Sequence, residues 1–396
     1  MSRLDPDLDD ELDARLAAVD LHLRNRYPGD PGGRQPVHTV YVPADRWHYD
    51  LVPEWGAAAL AALEAAPELP YARDLHARVA AKLAHEPIED LRIDFEDGYG
   101  VRPDDEEDAA AEAAARSLLL AQVVPPFIGV RVKSMEAHTR KRSLRTLDGF
   151  LEVWFSGGAT SLPENFVVTL PKVSDPAQVA AFAMVCGRLE ASYGIPAGEL
   201  RFEIQIETPP AILGADGTAT VARMITAADG RCTGLHYGTY DYSAAAGIGA
   251  AYQSMDHPAA DHAKAVMQVA AAGTGVRLSD GSTNILPVGT DVQVRDAWAL
   301  HARLVRRSLE RGFYQGWDLH AAQLPTRYAA TYAFFRDGAA AAHDRLAAYL
   351  DRRETGILDE PATARALAGF LLRGLRCGAL DADELGDFTA ERLTAL

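Results

Sequence analysis

The chain has 396 residues, of which 48% are hydrophobic and 24% charged, and a formal charge of −17. That composition is ordinary for a globular protein with a sizeable core. Its acidity excludes nucleic acid as the main partner, because a phosphate backbone is held by clustered Lys and Arg, and the basic cluster Arg140, Lys141, Arg142 and Arg145 reads as a solvated helix face. Three scattered cysteines, Cys186, Cys232 and Cys377, match neither a disulfide framework nor a zinc spacing. The opening MSRLDPDLDDELDARL has no apolar leader core, and no run approaches the ~20 apolar residues of a membrane helix. A cytoplasmic protein with no membrane partner is expected.

Residues 1–35 are expected to form an N-terminal extension packed on the main body. It consists of an acidic helix, with Leu8, Leu12, Leu16 and Val19 at helical spacing, and a loop begun by Tyr27-Pro28-Gly29. From there short runs rich in Val, Ile, Phe and Tyr alternate with Ala-rich helical patterns. The runs are HTVYVP (38–43), LRIDFED (91–97), FIGVRV (127–132), FVVTLPK (166–172), FEIQIE (202–207), GLHYGTYD (234–241), STNILP (282–287) and GFYQGWDLH (312–320). Eight strand–helix units imply parallel pairing and an α/β fold of the (β/α)8 TIM-barrel type, with the catalytic domain over 36–335. Ser174-Asp175-Pro176, Thr208-Pro209-Pro210 and Ser243 read as helix entries directly behind strand ends. The remainder, 336–396, shows no strand pattern and is expected to be a C-terminal helical segment covering the barrel or another subunit.

Acidic side chains end three of these runs, and isolated carboxylates are rarely buried unless paired or metal-bound. In Asp94-Phe95-Glu96-Asp97, strand alternation separates Asp94 and Glu96 from Asp97. In FEIQIE it sets Glu203, Gln205 and Glu207 on one face, which suits a barrel interior near its mouth. Asp241 ends the next run. Glu207 and Asp241 follow successive strands, and such a pair suits Mg2+, which prefers hard oxygen ligands. Arg131 and Lys172 fall near strand ends, where a guanidinium would clamp a carboxylate or an enolate oxygen; Lys172 reads equally as a structural ion pair. Thr208 and His320, also at strand ends, complete the substrate-binding candidates, whereas His236, in mid-strand, reads as a core residue.

The segments TVYVPADR, RIDFEDGYG, GVRV, TLPKV, QIETPPAIL, GTYDYSAA and GFYQGWDLHAAQ, in this order, resemble the HpcH/HpaI aldolase and citrate lyase β-subunit superfamily over most of residues 38–325. The resemblance implies a Mg2+- or Mn2+-dependent carbon–carbon lyase of aldolase type. It would act through an enolate on a small 2-oxo or hydroxy acid or an acyl-CoA thioester, as a homo-oligomer. By motif, Glu207 and Asp241 correspond to the metal-binding carboxylates and Arg131 to the arginine on the enolate oxygen. Asp97 falls at the position of the base or of the lyase aspartate, and Glu96 is its neighbouring acid. The base would be Asp97 or a water held by the metal. Thioester hydrolysis, phosphoenolpyruvate-type chemistry and non-catalytic binding of an organic acid are the competing readings.

Overall fold

Period-2 runs of β-branched and aromatic residues favour extended chain, and the helical stretches between them are long enough to return each strand parallel to the last. A computed structural model describes residues 7–30, 32–65, 69–71, 73–352 and 359–396. After α1 (Leu8–Arg26), the chain runs β1 (His38–Pro43), α2 (Leu51–Ala65), α3 (His76–His85), β2 (Asp90–Asp94), α4 (Asp104–Leu120), β3 (Phe127–Arg131) and α5 (Arg140–Ser156). It continues through β4 (Phe166–Leu170), α6 (Pro176–Tyr193), β5 (Arg201–Ile206), α7 (Pro209–Ile212), α8 (Thr220–Ala227), β6 (Cys232–Tyr237), α9 (Thr239–Ala245) and α10 (Pro258–Ala271). The last elements are β7 (Arg277–Ser279), α11 (Asp291–Glu310), β8 (Gly316–Asp318), α12 (Leu324–Leu350), α13 (Pro361–Arg376), α14 (Ala382–Leu385) and α15 (Ala390–Thr394).

The strands form one parallel sheet in the order β7-β6-β5-β4-β3-β2-β1-β8. A bridge from Ser279 to Gln315 joins its two edges, and the Asp280 N–H donates to the Gln315 carbonyl across the seam at 2.8 Å. The chain is therefore an α/β TIM barrel, as expected. Outward-facing Phe202, Ile204 and Ile206 are fully buried under the helices, with Phe182 of α6 edge-on to Phe202 at 5.2 Å. The capping signal at α6 is realised: Asp175 accepts the Ala177 N–H at 2.8 Å, Pro176 opens the helix and Gly194 closes it in a left-handed conformation.

The barrel interior departs from the usual filling of branched apolar side chains. Arg92 points inward and pairs with Asp90 and with Glu203 (2.8 Å), and His236 Nε2 lies 3.0 Å from the same Glu203 carboxylate. Tyr41 and Trp317 pack beside each other as tilted rings, 4.5 Å between centroids. All three charged members are almost wholly buried, so each is viable only through its partners. Replacing Arg92 with leucine would strand Asp90 and Glu203. Urea unfolding is expected to show a loss of about 3–5 kcal/mol.

Two expectations are corrected. The run 282–287 forms no strand; β7 lies upstream at Arg277–Ser279, set by its pairing with Gly234, Leu235 and His236 of β6. Past Gly281 the chain leaves the wall and crosses the rim, where the Asn284 N–H is taken up by the Tyr240 hydroxyl and Ile285 is half-exposed. The helix α1 does not bury its apolar row: Leu12, Leu16 and Val19 are all exposed, and contact with the barrel is made at its end, where Arg26 donates to the Ala222 carbonyl at 2.8 Å. Helix α12 runs unbroken through position 335/336. With α13 to α15 it builds a second small core around Leu346, Leu371, Leu385 and Phe388. Among the described residues, no helix is long and apolar enough to cross a membrane.

Candidate functional site

Four of the acids and both cations singled out in the sequence meet at the carboxyl-terminal rim of the barrel. The buried Asp94 carboxylate, at the end of β2, accepts the N–H groups of Glu96 and Gly98, each at 2.9 Å, and this fixes the turn that carries Glu96 and Asp97. The same carboxylate takes a two-pronged hydrogen bond from Arg131, with Nε and Nη2 both at 2.6 Å. Tyr41 covers one face of the guanidinium at 4.7 Å. Its remaining edge, Nη1, lies 3.3 Å from Gln205 Oε1 and 3.3 Å from Glu96 Oε2.

Lys172 lies beyond the end of β4 with a left-handed backbone (φ 52°), a strained conformation for a residue with a Cβ. There its N–H donates to Glu207 Oε1 at 2.7 Å. Its Nζ sits 2.6 Å from Asp241 Oδ2, 2.9 Å from Asp97 Oδ2 and 3.6 Å from both Glu96 and Glu207. Glu207, one residue past β5, is buried and also accepts from Gln205 Nε2. Asp241 is exposed in the first turn of α9.

Negative charge outweighs positive here, since four carboxylates face Lys172 while Arg131 is largely matched by Asp94. Burial, helped by the charges of Glu96 and Asp241, pushes Glu207 up to about 8. Burial and the neighbouring Asp97 push Glu96 up to about 7. Burial also opposes the ionised form of Asp97, but Arg131 and Lys172 outweigh it and hold that carboxyl below its usual value. Lys172 is stabilised as an ammonium because the carboxylates, Glu207 first, outweigh its own burial. A divalent cation would relieve this excess. Oxygen atoms of Asp97, Glu207 and Asp241 lie within 4.8 Å of one another, a hard-oxygen set suited to Mg2+ or Mn2+.

The geometry adds to the sequence reading. Asp97, expected as a base, stands beside Glu207 and Asp241, where it could offer a cation a third oxygen. Thr208 and His320 are occupied locally: Thr208 Oγ1 donates to the Val173 carbonyl at 2.8 Å, and His320 Nδ1 accepts the Ala322 N–H at 3.1 Å. Ser243 is not a helix entry, because α9 begins at Thr239, so Asp241 belongs to a helix and not to a strand end. Asp94, Gln205 and Tyr41 were missed as site residues, although alternation along β1, β2 and β5 would have turned all three inward. Gly238 was missed too: a Cβ there would lie 2.5 Å from the Glu207 Cβ and 2.8 Å from Oε2. Gly238→Ala is expected to push Glu207 aside and weaken Mn2+ binding about 10–100-fold, as read by titration of the purified protein.

The chain belongs to the family described as Domain of unknown function (DUF6986), whose model matches residues 16–396. A comparison with curated proteins gave no match. Among solved structures, a citrate lyase from Burkholderia xenovorans LB400 is similar at a TM-score of 0.57 and 22% identity, over 84% of this chain and 98% of that one. CitE from Mycobacterium tuberculosis, in complex with magnesium, acetoacetate and coenzyme A, is similar at 0.53 and 20% identity, over 88% and 99%. Malate synthase from Haloferax volcanii, as a lead(II) complex, is similar at 0.51 and 13% identity, over 91% and 98%. At these identities the likeness is one of fold, a barrel shared with these enzymes.

Proposed function

We propose that this member of the DUF6986 family is a Mg2+- or Mn2+-dependent carbon–carbon lyase of aldolase type, acting through an enolate on a small 2-oxo or hydroxy acid or its acyl-CoA thioester. The observation that carries this reading is the convergence of Asp97, Glu207 and Asp241 beside Arg131 at one barrel mouth. The magnesium and acetoacetate in the CitE complex lend it support. When bound between the three carboxylates, the cation would supply Lewis acidity toward the carbonyl and carboxylate oxygens of a substrate.

This chain's own residues do the rest. Arg131 is held rigid by Asp94 on one edge and Tyr41 on one face, so its Nη1 edge is preorganised for developing negative charge on a substrate oxygen. Glu96, raised to about 7 and next to that edge, is the group best poised to accept a hydroxyl proton and return it to the enolate carbon, because proton transfer is most efficient near the working pH. Asp97 stays ionised as an oxygen donor. Lys172 Nζ rests on the same three carboxylates in this structure; it would give way to the cation when one binds and, still at the rim, would steer an anionic substrate.

The test is a metal-dependence assay. Protein stripped with chelator would be given 4-hydroxy-2-oxo acids and 3-hydroxyacyl-CoA thioesters, with and without Mg2+ or Mn2+, and released oxo acid read by a coupled dehydrogenase. Release restored by metal is the expected result. Release that is unaffected by chelator, or free CoA without carbon–carbon cleavage, would overturn the lyase reading.

A further inference from the structure

A cavity of about 620 Å³ opens at the other end of the barrel, among the segments that lead into the strands. Gly29, Asp30, Gly32, Gly33 and Gln35 line it ahead of β1, Gly273, Gly275, Val276 and Arg277 line it at the start of β7, and Gly312 lines it ahead of β8. The far wall is α13. Four guanidinium groups face this space: Arg277, Arg365, Arg373 and Arg376. Three come from α13, at spacings of eight and eleven residues that return them to one side of the helix.

Two glycines make room for them. A Cβ at Gly33 would meet Arg277 Nη2 at 3.0 Å, and one at Gly369 would meet Arg373 Nη1 at 3.2 Å. Asp30 supplies the one side-chain carboxylate among the described lining residues. It is taken by Arg373 at 2.7 Å, and the Arg373 guanidinium also lies over the Tyr314 ring at 4.6 Å. The guanidinium groups of Arg277, Arg365 and Arg376 make no hydrogen bond or ion pair with any described residue, and that of Arg277 lies over the Phe127 ring at 5.7 Å. Burial lowers the proton affinity of Arg277; the charges of Asp30 and Asp90 oppose this, and the like charges of Arg376 and Arg373 add to it.

Three unmatched guanidiniums sharing one cavity in a chain of net charge −17 call for a compact, multiply charged anion. The guanidinium fork matches a phosphoryl group with paired hydrogen bonds. The volume is that of a small-molecule site, and the acidity of the chain as a whole excludes a nucleic-acid polymer. We infer that this cavity is a second ligand site, separate from the carboxylate cluster, that takes a small molecule bearing a diphosphoryl group. Its place at the amino-terminal rim makes it a binding or control site and not a second reaction centre.

The test is calorimetric titration of the full chain, in chelator, with inorganic pyrophosphate, ADP and citrate as separate probes. Saturable one-site binding of pyrophosphate or ADP is expected, the two arms separating a free diphosphate from a nucleotide. The Arg365→Gln/Arg376→Gln double variant is expected to bind about tenfold more weakly or worse. Both positions are at least partly exposed, so its melting temperature without ligand should match the wild type. Glu207→Gln, at the opposite rim, should leave this binding unchanged. Absence of saturable binding by either phosphate probe at millimolar concentration, tighter binding of citrate, or wild-type affinity in the double variant would each overturn the inference.

Discussion

Glu207→Gln is expected to weaken Mn2+ binding at least about 100-fold and to abolish metal-dependent turnover, because a lost ligand should cost no less than a lost supporting partner. Glu207 is the one wholly buried member of the three-carboxylate set. Its charge is costly unless a cation is near. The pH dependence follows from the same fact. With Glu207 raised from 4.5 to about 8 in the folded chain, the folded state binds more protons than the unfolded state between those values. The stability of the cation-free protein therefore falls as pH rises through that window. Metal affinity moves the other way, climbing as the proton is shed. Urea unfolding in chelator at about pH 5.5 and about pH 8.5 should show the decline in the wild type and a flatter profile in Glu207→Gln. Glu96, raised to about 7, leaves a residual slope. A variant that holds Mn2+ as tightly as the wild type would move the metal site elsewhere.

Arg131→Lys is expected to lower kcat and kcat/KM together by about 10²–10³-fold, the scale of losing one preorganised donor to a developing oxyanion. Lysine keeps the positive charge beside Asp94 but cannot reproduce the planar fork that fills both Asp94 oxygens and still presents Nη1 toward Glu96. Removing the charge altogether would be less informative. It would leave Asp94 buried and unpaired and cost about 3–5 kcal/mol of stability, so a kinetic effect and a folding effect would be confounded. Kinetics on the substrate that responds in the metal assay, with the melting temperature measured in parallel, separates the two. Activity within about threefold of the wild type would reduce Arg131 to a structural ion pair.

The barrel was legible because eight runs alternate with helices, and alternation along each strand is a local property of the chain. FEIQIE shows this well: Glu203, Gln205 and Glu207 all turn inward, as the period of two requires, and each finds a polar partner. The seventh strand was misplaced for the complementary reason. Three residues, Arg277 to Ser279, carry too little periodicity to be told from loop, and their strand character comes from β6 alongside. The apolar pattern of α1 likewise predicts a packed face that no other element in the described chain covers.

By itself the sequence determined the architecture, the rim at which the charged residues gather and their identities, because strand period, helix entry and residue type are all local. Tertiary structure alone decided how those charges are shared. It brought Asp97 to the side of Glu207 and Asp241, set Lys172 among four carboxylates and made Glu96 the acid held near neutrality. It also gathered Arg277 from β7 with three arginines of α13. Charge–charge energies and desolvation depend on distances between residues tens to hundreds of positions apart and on the burial around them, and neither quantity exists until the chain has folded.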